Sequence, residues 1–272
     1  MRGASRASLA DAGDQLPAVA TTQAIADTVG DELFAVARLL DSEHGLRRTL
    51  TDPARPAAAK AALVRSLLGG KVSAETLDLA AGLASARWSA SRDLADAAEE
   101  LAVRALVIAA EQAGELDDLE DELFRFARVV AGQPDLQLAL SDPNLPDERK
   151  RGLLGALLDG KATPVAQRLI TEAVVRPRGR SLEASLDAYA RLAAERKQRL
   201  VAVVRVASAL TQQQQDRLAA ALAGLYGHDV YLNIVLDPQV VGGMSVQVGD
   251  EFIDASVASR LAALRQRLAG QP

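Results

Sequence analysis

One stretch comes within a residue of a phosphate-binding loop. Gly155-Ala156-Leu157-Leu158-Asp159-Gly160-Lys161-Ala162 matches G-x-x-x-x-G-K-[ST] until its last position. There an alanine replaces the hydroxyl that would hold a metal ion, and the hydroxyl moves on to Thr163. The surrounding periodicity is that of an amphipathic helix, whereas such a loop follows a strand. Asp250, Glu251 and Asp254 offer three carboxylates but lack the alternating oxygen-ligand loop that calcium needs. A hairpin turn followed by a helix cap explains them better. His44 and His228 are far apart, and there are no cysteines, which excludes disulfides, thiolate metal sites and cysteine nucleophiles. Arg176, Arg178 and Arg180 make a local basic loop with no aromatic interleaving. No catalytic constellation emerges, and neither a cofactor nor a metal is expected.

The elements that carry these residues are mostly helices. Of 272 residues, 49% are hydrophobic and only 3% aromatic, so Leu, Val, Ala and Ile must build the core. The net charge of −5, with a pI near 5.2, argues against nucleic acid as a partner. No apolar run approaches the roughly 18 residues that cross a bilayer, and Asp11 and Asp14 soon follow Arg2 and Arg6, unlike a secretory signal. A cytoplasmic protein is expected, reaching a membrane only through partners.

The chain also repeats itself. Asp31-Glu32-Leu33-Phe34 returns as Asp121-Glu122-Leu123-Phe124, and Asp52-Pro53, Pro56, Lys60 and Gly70-Lys71 return at the same offset of 90 residues. Between 31–71 and 121–161, 17 of 41 positions are identical, far above what a Leu/Ala-rich composition supplies. The Asp-Pro pairs break helices and Pro56 and Pro146 open new ones. Gly70-Lys71 and Gly160-Lys161 read as helix C-termini. Further helices are expected at about 73–86, 93–113, 164–175 and 181–199.

From Leu200 the period changes. Val201 to Val206 reads as a strand, and Thr211 with Gln214 as a capping box that opens a helix. Residues 230–236 and 244–248 read as two more strands. Gly249-Asp250 turns the latter into a hairpin, and a last helix from Ser256 carries Val257, Leu261, Leu264 and Leu268 on one stripe. The fold class is therefore mainly α: two tandem duplicated helical bundles, 1–110 and 111–199, then a small α/β domain of order β-α-β-β-α over 200–272.

The segment Leu236-Asp237-Pro238, Val241-Gly242-Gly243-Met244, Val246, Val248-Gly249-Asp250, Ile253-Asp254, Ser256-Val257 and Arg260-Leu261 closely resembles the C-terminal pattern of the F-type ATP synthase delta subunit, whose mitochondrial equivalent is the oligomycin-sensitivity-conferring protein. Arg178-Gly179-Arg180-Ser181-Leu182 also resembles that family's link into its last N-domain helix. The resemblance covers about residues 111–272. One bundle is usual there, and a form with a duplicated helical region, known from actinobacteria, is the nearest match.

The resemblance implies a stator subunit without catalytic activity. Its partners would be the N-terminal helices of the alpha subunits and a b-type stalk, at the cytoplasmic face of the bacterial plasma membrane. Gly242, Gly243, Gly249, Asp250, Asp254 and Ser256 would shape the turns of the small domain. Leu123, Phe124, Leu153 and Leu157 are the candidate face toward the head, and the 257–268 stripe the candidate face toward the stalk. The competing class is a helical adaptor or RNA-binding regulatory protein that uses the arginine loop.

Overall fold

Prolines, glycines and hydroxyl caps cut the chain into short helices that recur at a fixed spacing. The computed structural model describes residues 1, 3–198, 200–208, 210–226, 230–237, 243–248 and 251–254. The first helices are α1 (Ala4–Val19), α2 (Gln23–Ser42), α3 (His44–Thr51), α4 (Ala57–Leu68), α5 (Ala74–Ser85) and the long α6 (Ser91–Ala113). Then come α7 (Leu116–Ala131), α8 (Pro134–Ser141), α9 (Asp147–Leu158), α10 (Pro164–Val175) and α11 (Leu182–Gln198). Helices α3, α4 and α5 begin and end 90 residues before α8, α9 and α10.

The same local solutions recur at that spacing. Pro56 and Pro146 stand just before α4 and α9, where a missing N–H is harmless. After each helix the chain turns at a left-handed glycine, Gly70 (φ 72°) and Gly160 (φ 63°). The Ser73 and Thr163 hydroxyls then cap α5 and α10 by accepting from the N–H groups of Thr76 and Ala166. Each capping residue is itself held by a carboxylate from the preceding long helix. Glu32 accepts from the Ser73 N–H at 3.0 Å, and Glu122 from the Thr163 N–H at 2.9 Å. Burial alone would raise the Glu32 pKa, but hydrogen bonds from Ser73 and Thr76 outweigh it and hold the carboxyl below its ordinary range.

Residues Met1–Ala194 form one compact unit, and α6 is its axis. A surface helix buries one stripe, but α6 buries nearly every residue from Leu94 to Ala110. Helices α1, α2, α3 and α5 pack on it from the first repeat, and α7 and α10 from the second. Both repeats thus share one core, and residue 110, the boundary expected from the sequence, lies within α6. Alanines and Gly30 let α2 lie close against α6. A Cβ placed on Gly30 would stand 2.6 Å from the Leu106 side chain. Gly114, at φ 74°, ends α6 and turns the chain into α7.

The second unit, Glu195–Pro272, carries a four-stranded sheet among its described residues. Its elements are β1 (Leu200–Val206), α12 (Gln212–Tyr226), β2 (Val230–Leu236), β3 (Met244–Val248) and β4 (Glu251–Asp254), in the order β2-β1-β3-β4. Strands β1 and β2 run parallel, Leu200 opposite Val230, so a crossover must join them, and α12 supplies it. The expected capping box opens that helix, with Thr211 and Gln214 bonded to each other. Strand β3 lies antiparallel to β1 and turns back into β4, Val248 opposite Glu251. Val204, Val206, Leu222, Val230 and Val246 form the core. Among the described residues the elements follow in the order β-α-β-β. The final helix with Ser256, Val257, Leu261, Leu264 and Leu268, and the turn residues Gly242, Gly249 and Asp250, lie outside the described residues. Gly243 stands before β3 at φ 80°, and Asp254 ends β4.

Candidate functional site

The arginine loop between α10 and α11 is folded inward. Arg178 and Gly179 both take the left-handed conformation, at φ 52° and 76°, and the Arg180 N–H closes the turn on the Pro177 carbonyl at 2.9 Å. This turn drives the Arg178 side chain into the molecule, where only 8% of it is exposed. Its Nη1 donates to Glu99 at 2.5 Å and to the Ala95 carbonyl at 3.2 Å. Its Nη2 donates to Asp96 at 2.8 Å and to Asp41 at 3.1 Å. Glu99 also accepts from Arg180 and from the Tyr189 hydroxyl, the latter at 2.8 Å. The loop is thereby fastened to α2 and α6, and Glu99 ties α6 in turn to Tyr189 of α11.

Burial sets the charge states here. Burial disfavours the Arg178 cation, but Glu99, Asp41 and Asp96 outweigh it and raise its pKa. Burial raises the Asp96 pKa, against the opposing pull of Arg178 and Arg92. Burial, with the Glu99 charge, pushes the Tyr189 phenol well above its ordinary value, so it stays a donor. The neighbouring pairs extend the seam. Arg176 meets Asp147 at 2.7 Å, Arg38 meets Glu172 at 3.0 Å, and Arg168 meets Asp31 at 3.3 Å and Asp27 more closely.

This arrangement removes the support for an RNA contact at the loop. A phosphate needs outward donors, and the Arg178 donors are committed to interior carboxylates. The loop is a joint. None of its acidic partners, Glu99, Asp41 and Asp96, carries a sequence signal, since Glu99 stands beside Glu100 in a helix with several charges.

The near phosphate loop also has another role. Gly155 to Leu158 are the last turn of α9, and Lys161 and Ala162 donate their backbone N–H groups to the Leu158 carbonyl at 2.9 and 3.2 Å. Among the described residues no strand precedes it, and the Thr163 hydroxyl is bonded to Glu122 at 2.8 Å. The amides that would cradle a phosphate finish a helix instead. His44 is exposed with a ring nitrogen 3.3 Å from the Ser42 carbonyl, and His228 lies outside the described residues. Among the described residues no three His, Cys, Asp or Glu gather as metal ligands, and no helix is long and apolar enough to cross a membrane.

The residues chosen for a face toward the head divide. Leu123 is fully buried and belongs to the core, so it cannot meet a partner. Leu153 and Leu157 are half-buried against the same core. Phe124 is 59% exposed on the outer side of α7, and Leu138 on α8 is 73% exposed. The period placed 123 and 124 together, but adjacent helix residues point about 100° apart, so the core took one and solvent the other. Trp88 packs on the core and donates its indole N–H to the Leu83 carbonyl at 2.8 Å.

The chain is similar to several known proteins. A protein from Streptomyces griseus called ATP synthase subunit delta is 51% identical over 99% of this chain and 100% of its own length. Proteins of the same name from Thermobifida fusca and Kineococcus radiotolerans are 49% and 48% identical, over 99% and 98% of this chain and 100% and 98% of their own. Among solved structures, a chain of the Toxoplasma gondii mitochondrial ATP synthase hexamer matches 62% of this chain and 96% of its own, with a TM-score of 0.30 and 21% identity. The family model described as ATP synthase delta (OSCP) subunit matches residues 98–268. The chain belongs to the ATP synthase delta (OSCP) subunit family, whose members are structural and not catalytic components of the synthase.

Proposed function

We propose that this chain is the stator connector of a bacterial F-type ATP synthase, holding the alpha subunits' N-terminal helices at the catalytic head and a b-type peripheral stalk, against the torque of the rotor. In this reading 1–110 and 111–199 descend from one duplicated bundle, and 200–272 meets the stalk through Val257, Leu261, Leu264 and Leu268. The protein works at the cytoplasmic face of the plasma membrane, held there by its partners.

The observation that carries the reading is the relationship to subunit delta chains at about half identity along the entire length. Physical support comes from the joint. A connector under torque must not flex between its parts, and a shared core around α6 with a buried ionic seam opposes such flexing. Helix-in-groove binding needs apolar helical faces and no chemistry.

Calorimetric titration of the chain into the isolated catalytic head from the same organism tests the proposal. Tight binding at one chain per head, with no ATP hydrolysis by the chain alone, is the expected result. A folded chain that gives no binding heat overturns it.

A further inference from the structure

Helix α2 carries Asp27, Asp31, Phe34 and Arg38 at spacings of four, three and four, which puts them on one stripe. Helix α10 answers that stripe with two residues one turn apart. Arg168 pairs with Asp27 and, at 3.3 Å, with Asp31, while Glu172 pairs with Arg38 at 3.0 Å. Phe34 lies between the two sets, 4% exposed, and shares a cleft wall with Glu172 and Arg38. The contacts run in the same order along both helices, so α10 meets the stripe pointing the same way as α2.

Ninety residues on, α7 carries the stripe again without a change, as Asp117, Asp121, Phe124 and Arg128. All four positions are exposed there. Phe124 is 59% exposed, and the Arg128 guanidinium stands 5.8 Å from its ring centroid. The counterpart of α10 in the first repeat is α5, which has Asp78 and Gly82 where α10 has Arg168 and Glu172, so it cannot repeat the pairing. Arg168 and Glu172 are already engaged on α2, so α10 of a second copy is not free to dock there.

We infer that the Asp121–Phe124–Arg128 stripe of α7 is a docking surface for one helix of a partner protein that carries an Arg and, four residues later, a Glu. The molecule itself shows which charges pair with this stripe, and the same pairing fits its exposed repeat. The partner helix lies parallel to α7, its Arg toward Asp121 and its Glu toward Arg128. Exposed ion pairs add little affinity but fix direction and register, and the burial of Phe124 supplies most of the attraction.

The probe is a fluorescently labelled peptide of α10's own sequence, residues 163–176, titrated into the full chain by anisotropy. The expected result is saturable binding that weakens tenfold or more in Phe124→Ala. Phe124 is exposed, so that variant should keep its melting temperature. A peptide with its Arg and Glu exchanged should bind weakly, and the Asp121→Arg/Arg128→Glu chain should restore its binding. Absent binding, or binding indifferent to Phe124→Ala, overturns the inference. Sedimentation that shows self-association abolished by Phe124→Ala would assign the face to a second copy and also overturn it.

Discussion

Arg178 and Glu99 lie 79 residues apart in the chain and meet at 2.5 Å in its interior, with 8% and 5% of their side chains exposed. Removing one member of a buried pair leaves the other uncompensated, which costs about 3–5 kcal/mol. Arg178→Ala should destabilise the helical unit by that amount in urea denaturation of the full chain. Arg178→Lys keeps the charge but not the fork that serves Glu99, Asp96 and Asp41, and should recover less than half of the loss. An Arg178→Ala chain within about 1 kcal/mol of wild type, the level of a surface pair, would show that the seam holds nothing.

Two carboxylates should respond to acid in opposite senses. The pKa of Glu32 is lowered in the folded state, so its contribution is complete above its ordinary value of 4.5 and lost as pH falls through the lowered value. Glu32→Gln should cost about 1 kcal/mol at pH 7 and progressively less toward pH 3. Asp96 is raised above its ordinary 3.8, chiefly by burial, so its ionisation destabilises the fold as pH climbs through that range. Asp96→Asn should flatten that limb of the stability profile. Urea midpoints from pH 3 to 7 check both.

Gly30 is where α2 comes closest to α6. Alanine is the better helix former by about 1 kcal/mol. At this site its Cβ would fall 2.6 Å from Leu106 Cδ2 and 3.3 Å from the Ala102 carbonyl oxygen. Leu106 is fully buried, so the overlap should win, and Gly30→Ala should lose a net 1–2 kcal/mol, within the usual range for overpacking. Adding Leu106→Ala should cost less in that background than in the wild type, a coupling that a double-mutant cycle measures.

Gly243 holds a left-handed conformation, φ 80°, one residue before β3. Valine there should cost about 1–3 kcal/mol of backbone strain. The loss should fall on the sheet unit alone, seen as faster amide exchange in β1 and β3 with the helices unchanged. Stalk binding should weaken with it. A Gly243→Val chain that protects β3 normally and binds the stalk as before contradicts this.

The repeat, most helix ends and the strands of the second unit were legible in the sequence because local chemistry decides them. Pro56 and Pro146 interrupt a preceding helix and suit the position just before a new one, Gly70 and Gly160 readily take a left-handed turn, and Thr211 with Gln214 caps the helix that follows. The last helix of the small unit, read from Ser256 on by the same kind of stripe, lies outside the described residues.

What needed the tertiary structure were the relations between distant residues. Leu123 and Phe124 are equally apolar, and only the packing around α7 sent one to the core and the other to solvent. The arginine loop reads from the sequence as a local basic loop, but the Arg178 charge is buried because Asp41, Asp96 and Glu99 arrive there from two other helices. Composition counts those carboxylates without saying where they meet. The physical reason is range: caps and turns act within about four residues of chain, while burial and ion pairing depend on which elements the fold brings together.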